Sequence, residues 1–170
     1  MSVSDAIRDR RTHKAYGPEP VDRETLDALF DLARFAPNHH LTNPWRFRVL
    51  GAAALARLKA AAGPDQAAKL DRAPTLVAVT AIRTPGDAVA DEEDLLATAC
   101  AAYIVLLAAH ERGLAGYWRT PGVLRTPAGL DALGIGDDER FVALLYLGTA
   151  RQEPPVPERA AVDDVTRYLD

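Results

Sequence analysis

The sequence predicts an α+β domain, a central mixed sheet flanked by helices, and three observations carry that prediction. Two helical patterns, over residues 2–10 and 22–36, come before any strand. Strand-like runs follow at 46–50, 75–82, 114–118 and 141–148, interleaved with further helical stretches. One of those stretches, 97–109, is apolar around most of its circumference. Elements that each carry an apolar face bury it against one another in layers.

The elements follow from local chemistry. Ser2 or Ser4 can cap a short first helix reaching Arg10, and Gly17-Pro18 breaks the pattern. Asp22 caps a second helix with Leu26, Leu29, Phe30 and Ala33 at helical spacing, closed by Pro37. Residues 38–44 are polar and turn-prone. An Ala-rich helix over 52–62 stops at Gly63-Pro64, and a weaker helical turn fills 66–72. The β-rich run 75–82 predicts a central strand buried on both faces. Residues 84–90 read as a loop, and the acidic run 91–94 as the start of a helix reaching Arg112, where the macrodipole favours negative charge. Gly113 suits the left-handed C-cap. Thr126-Pro127 opens another helix that Gly134 closes. The 150–170 segment, with prolines at 154, 155 and 157, predicts an extended C-terminal tail on a single domain spanning 1–170.

Composition narrows the function classes. The formal charge of −4 offers no basic excess for nucleic acid. The lone Cys100 excludes an internal disulfide framework and a Cys-based zinc knuckle, and suits a reducing cytoplasm. Placed inside an apolar helix, its thiol is expected to serve packing. The N-terminus has no basic-then-apolar leader, and the apolar segment 97–109 is short of the roughly 20 residues a bilayer needs, so a cytoplasmic protein with no membrane partner is expected. The helix 97–109 reads equally as a core helix or as one covered by a partner subunit.

No dinucleotide fingerprint, P-loop or Gly-x-Ser-x-Gly elbow is present. His39 and His40 are adjacent, so diverging side chains are expected and no metal site is assigned. Three clusters remain. Arg10-Arg11-Thr12-His13-Lys14 places cations and a hydroxyl just after a helix, a set able to hold a phosphate. Ala36-Pro37-Asn38-His39-His40 through Pro44-Trp45 combines amide and imidazole donors with a flat ring. Gly116-Tyr117-Trp118-Arg119-Thr120 ends a strand beside a Pro-Gly turn. Taken singly, the first reads as a solvated basic face, and the other two as ordinary connections.

In this order, and joined by Ala73-Pro74 before an apolar strand and by Leu145-Tyr146-Leu147-Gly148-Thr149 at the close, the clusters resemble the nitroreductase family of FMN enzymes over nearly the whole chain. The Trp-Arg and Tyr-Leu-Gly-Thr pieces look most like its small bacterial branch. The resemblance implies a homodimer with two FMN molecules at its interface. It assigns Arg10 to the flavin phosphate, with Arg11 and Thr12 beside it and Arg159 assisting from the tail. Lys14 would lie near the N1/O2 edge of the ring, as the main electrostatic and, in that sense, catalytic residue. Asn38 and His39 would reach in from the partner subunit. Trp118, Arg119 and Thr120 would line the ring near N5, largely through backbone groups, and Gln66 would approach its pyrimidine edge. Asn43 and Phe35 depart from the residues frequent in the family at those positions.

The implied reaction passes hydride from NADH or NADPH through flavin N5 to a nitroaromatic, quinone or similar small-molecule acceptor, the cofactor carrying the chemistry. An ammonium about 4 Å from a reduced ring contributes roughly 4 kcal/mol of attraction at an effective dielectric of 20. Three alternatives stay open on sequence: a specialised family chemistry such as dehalogenation, small-metabolite dehydrogenation or flavin breakdown; a non-catalytic flavin-binding module; and an interaction domain without cofactor.

Overall fold

The computed structural model of the chain describes residues 2–169. Helix α1 (Val3–Asp9) opens on a capping box: the Ser2 hydroxyl accepts from the Asp5 N–H and the Asp5 carboxylate accepts from the Ser2 N–H. Asp22 caps α2 (Arg23–Ala33) by accepting from the Thr25 N–H at 2.8 Å. α2 stops four residues ahead of Pro37, where the Phe35 and Ala36 N–H groups turn to carbonyls three residues back. Proline drives its predecessor out of the helical region, so the helix ends earlier than the proline itself.

Four strands form one sheet: β1 (Trp45–Val49), β2 (Thr75–Ile82), β3 (Leu114–Arg119) and β4 (Glu139–Thr149), in the order β1-β2-β4-β3. The sheet is antiparallel throughout and not mixed. β2 and β3 do run in the same direction, joined by a helical crossover. β4 inserts between them and opposes both, so no two neighbouring strands are parallel. Among the described residues, the parallel pairing is confined to a single bridge, Thr12 to Gly116.

β2 is buried on both faces, as its unbroken apolar run requires. Val77 and Val79 join Leu145 and Leu147 of β4 under α2 and the long helix α5 (Ala88–Glu111). Leu76 and Ala78 face the other way with Leu144 and Tyr146, under α3 (Ala52–Ala61), α4 (Pro64–Leu70) and α6 (Pro127–Ala132). Each such leucine or valine contributes about 2 kcal/mol on leaving water.

α5 begins at the Asp87 cap rather than at the acidic run 91–94. Asp87 Oδ1 accepts from the Val89 and Ala90 N–H groups at 3.1 and 3.0 Å, satisfying orphan donors a full turn before Asp91. At 24 residues the helix is far longer than its apolar centre suggests, and by length and composition it is long enough to cross a membrane. Here it packs on α1, α2 and all four strands, with half of its most apolar window buried. Its outer face is uncovered: Leu96, Cys100 and Tyr103, spaced i, i+4, i+7, are exposed. Cys100 therefore does not serve packing within this chain. Gly113 closes α5 at φ 74°, the left-handed conformation expected of it.

Beyond β4 the tail runs extended, interrupted by the single helical turn α7 (Val162–Val165).

Candidate functional site

The first helix ends sharply at its C-cap Arg10, whose N–H donates to the Ala6 carbonyl while its backbone turns extended. The chain then lies along the outer edge of β3, where the His13 N–H donates to the Gly116 carbonyl at 3.2 Å. On its inner side Gly116 packs against α5: a Cβ there would stand 2.7 Å from Leu106 Cδ2, so a side chain would require the Leu106 tip to shift. Tyr16, buried, donates from its hydroxyl to the His13 carbonyl at 2.9 Å, and the Gly17 N–H donates to the Thr149 carbonyl. The basic run is thus pinned at both ends.

Two open cavities flank it. One, of about 600 Å³, is lined by Arg8, Arg10, Arg11 and Arg159 with the single carboxylate Asp9, beside Tyr103 of α5. The other, of about 530 Å³, gathers Arg10, Arg11, Thr12, Lys14 and Arg159 with the single carboxylate Glu153. Each presents four cations against one anion. Arg159, 145 positions or more beyond the others, is brought to them by the extended tail. The Arg10 guanidinium lies 5.9 Å from the centre of the Tyr103 ring, and its Nε is buried without a hydrogen-bond partner. Arg11 is spent locally, its Nη1 donating to the Arg8 and Arg10 carbonyls. An unsatisfied buried guanidinium donor in a cationic hollow is the donor set a phosphate would complete. The residues present fit the FMN phosphate.

His110 and His13 line a third hollow with Asp9, Arg11 and Glu153. Burial pushes the His110 imidazole below its ordinary value, offset by Asp9 and reinforced by Arg10, and its Nε2 is unpartnered.

β3 is an edge strand. Past Gly116 its outer main-chain groups have no partner strand among the described residues, leaving the backbone of 117–120 open next to the basic run. The side chains of this segment diverge, as strand alternation requires. Trp118 packs on the α5 side of the sheet. Arg119 points to the other side, donating to the Tyr146 hydroxyl at 2.9 Å and lying over the Tyr117 and Tyr146 rings. Thr120 is exposed at the strand's end.

Gln66 is held apart from the cavities. On α4, its Oε1 accepts from the Val123 N–H at 3.1 Å, fastening the turn that follows β3. Asn38 and His39 are also apart within this chain. His39 Nδ1 sits 2.8 Å from Glu93 Oε2, near the start of α5. Arg10 lies over Tyr103, ten residues further on, about 15 Å along the helix. The loop that carries them is unusual: His40, Leu41 and Asn43 all have positive φ, at 52°, 53° and 49°. Non-glycine residues in that region cost of order 1–3 kcal/mol each and persist only where surroundings over-determine them. The left-handed turn also brings the His39 and His40 rings into a stack, centroids 3.9 Å apart, where divergence was expected. No sequence signal announces this, since neither glycine nor an Asn-Gly pair marks the turn.

The fold matches solved structures over its full length. A nitroreductase-like protein from Bacillus cereus superposes with a TM-score of 0.90 at 21% identity, covering 100% of this chain and 97% of that one. A nitroreductase from Desulfovibrio desulfuricans, solved in complex with FMN, gives 0.84 at 24% identity, covering 99% and 96%. The fold is therefore that of the nitroreductases. Residues 7–69, which include the basic run and the strained loop, match the sequence model of the Nitroreductase family. A Bacillus subtilis protein provisionally named an NAD(P)H nitroreductase is 29% identical, the alignment covering 95% of this chain and 91% of the relative. The chain is thus similar to the nitroreductase family in sequence over residues 7–69, and to a relative so named over most of its length.

Proposed function

We propose that the protein is an FMN-dependent oxidoreductase that carries electrons from NADH or NADPH to a nitroaromatic, quinone or similar small acceptor, and that it works as a homodimer. The observation that carries this reading is the cationic hollow of Arg10, Arg11, Thr12, Lys14 and Arg159 beside the open edge of β3, with the Arg10 Nε buried and unpartnered. Support comes from relatives: a Sphingopyxis structure with TM-score 0.82 and 21% identity is described as an FMN- and NADPH-dependent nitroreductase, and it is covered in full by this chain.

Bound FMN would supply the two-electron chemistry that no side chain here can. Arg10 and Arg159 would hold its phosphate, with Arg11 and Thr12 completing the cradle. Lys14, free of any acidic partner among the described residues, would set positive charge against the ring edge that becomes anionic on reduction. The main chain of Trp118, Arg119 and Thr120 would offer donors and acceptors at the β3 edge, while the Trp118 and Arg119 side chains hold the strand in place. Asn38 and His39, remote from Arg10 within one chain, would come from a second copy. Gln66 would act at one remove, by holding the turn after β3.

The test is the absorption spectrum of the purified protein, with the released chromophore identified after denaturation and anaerobic reduction followed with NADH and NADPH. FMN bleached by a nicotinamide and reoxidised by a nitroarene or quinone is the expected result. A colourless protein that takes up no FMN would end the proposal.

A further inference from the structure

The proposed flavin site depends on a loop, 38–43, whose backbone is strained at three non-glycine positions. Most of its hydrogen bonds are internal. Asn38 Oδ1 accepts from the Asn43 N–H at 3.0 Å, Asn38 Nδ2 donates to the Ala36 carbonyl, and Asn43 Nδ2 donates to the Leu41 carbonyl at 2.6 Å. Such bonds hold the loop's shape but not its position. Arg46 Nη1 of β1 donates to the Asn43 carbonyl at 3.0 Å at the loop's end, and two side-chain contacts tie the loop to α5. His39 meets Glu93, but this pair is exposed, the side chains being 61% and 43% accessible, and exposed pairs hold weakly. The other contact is half-buried, reaching from the exposed Thr42 to a buried carboxyl group. Thr42 Oγ1 donates to Asp94 Oδ1 at 2.5 Å, and Asp94 is 4% exposed.

Asp94 is an odd residue for its place. It is a buried carboxyl group with no cation within ion-pair distance among the described residues, and its other side-chain partner is the Thr84 hydroxyl at 3.5 Å. A carboxyl group taken out of water without a cation is costly and is compensated only by what it holds. What it holds are two loops, 38–43 and the one after β2, at the N-terminal end of the central helix.

We propose that Asp94 is a positioning residue: through Thr42 it fixes the strained loop so that Asn38 and His39 are presented in one orientation to the flavin of a second copy. The proposal rests on the flavin reading above. It touches neither cofactor nor acceptor directly, and it separates Thr42 and Asp94 from the groups that grip the phosphate.

The test compares Thr42→Val, which keeps the shape and removes the donor, with Thr42→Ser, which keeps the donor. Two readouts are needed: amide hydrogen exchange across residues 39–43, and FMN affinity by fluorescence titration, with thermal unfolding as the control for global folding. A hydrogen bond to an acidic group supports an effect of about tenfold, so Thr42→Val is expected to speed loop exchange and to weaken FMN by about that factor, with little change in melting temperature. Thr42→Ser should restore both. Loop exchange in Thr42→Val indistinguishable from the parent overturns the anchoring role whether or not flavin binds. A loosened loop with undiminished FMN affinity overturns its link to the site. Failure of the parent protein itself to bind FMN would instead strike the functional proposal, leaving the exchange measurement to decide the anchor.

Discussion

Among single residues, the basic run shows which parts of a site a sequence can disclose. Arg10, Arg11, Thr12 and Lys14 lie within five residues, so their convergence needed only a sharp helix end, and the extended C-cap Arg10, its N–H on the Ala6 carbonyl, provides it. Arg159 was reached through resemblance alone, because nothing local connects a tail residue to the N-terminus. Gln66 shows the opposite limit: its amide is committed to the Val123 N–H, a contact set by how α4 meets the turn after β3. Two substitutions separate the roles of the basic residues. Lys14→Ala is expected to lower the midpoint potential of bound FMN with the fold intact, since positive charge beside the ring favours its reduced, anionic form. Redox titration of the holoprotein checks this, and an unchanged potential removes the role from Lys14. Arg10→Ala should act on affinity instead, weakening FMN by about tenfold or more through the loss of a charge-assisted contact, with the melting temperature of the flavin-free protein little altered.

At the level of elements, what was legible depended on whether the determinant is local. The caps Ser2, Asp22 and Thr126, the terminator Gly113 and the doubly buried β2 all follow from their own neighbourhoods. Strand direction is not local, and the antiparallel insertion of β4 between β2 and β3 was missed for that reason. The start of α5 was misplaced because the acidic run drew the boundary four residues past Asp87, the residue that accepts from the first orphan N–H groups. Asp87→Ala is therefore expected to cost about 1 kcal/mol, seen as a fall of roughly 2–4 °C in melting temperature for a chain of this size. A second element-level tie carries a pH signature. Arg48 of β1 donates to Glu139 of β4 across β2, with Thr80 sharing the contact, and the guanidinium holds the Glu139 carboxyl below its ordinary value of 4.5. A carboxyl group with a depressed folded value binds fewer protons than its unfolded counterpart, so its contribution is complete above about pH 4.5 and is lost as the pH falls through the lower, folded value. Urea unfolding of Glu139→Gln at pH 7 and at pH 3.5 should show a smaller acid-induced loss than the parent; equal losses would take the acid sensitivity away from this pair.

For the whole molecule, one chain leaves two facts unexplained that a second copy would resolve together. The central helix, apolar almost all round, is covered on its inner faces and bare along Leu96, Cys100 and Tyr103. The loop with Asn38 and His39 meets that same helix about 15 Å along from the Arg10 hollow, and lines neither of the two basic cavities. Sequence periodicity left open whether α5 is a core helix or an interface helix; in the folded chain it is a core helix whose outer stripe remains available to a partner. Two copies meeting along that stripe would bury an exposed apolar face and bring the loop of one toward the basic run of the other, and on that proposal assembly and flavin binding would be a single property. Sedimentation of the purified protein is accordingly expected to give a dimer. Leu96→Glu, which places a charge on the stripe where a side chain is 59% exposed in the single chain, should leave helix content unchanged while yielding a monomer that loses FMN. The decisive comparison is between assembly state and flavin content in that variant: a stable monomer that retains FMN with undiminished affinity would show that one chain suffices, and that Asn38 and His39 have no part in holding the cofactor.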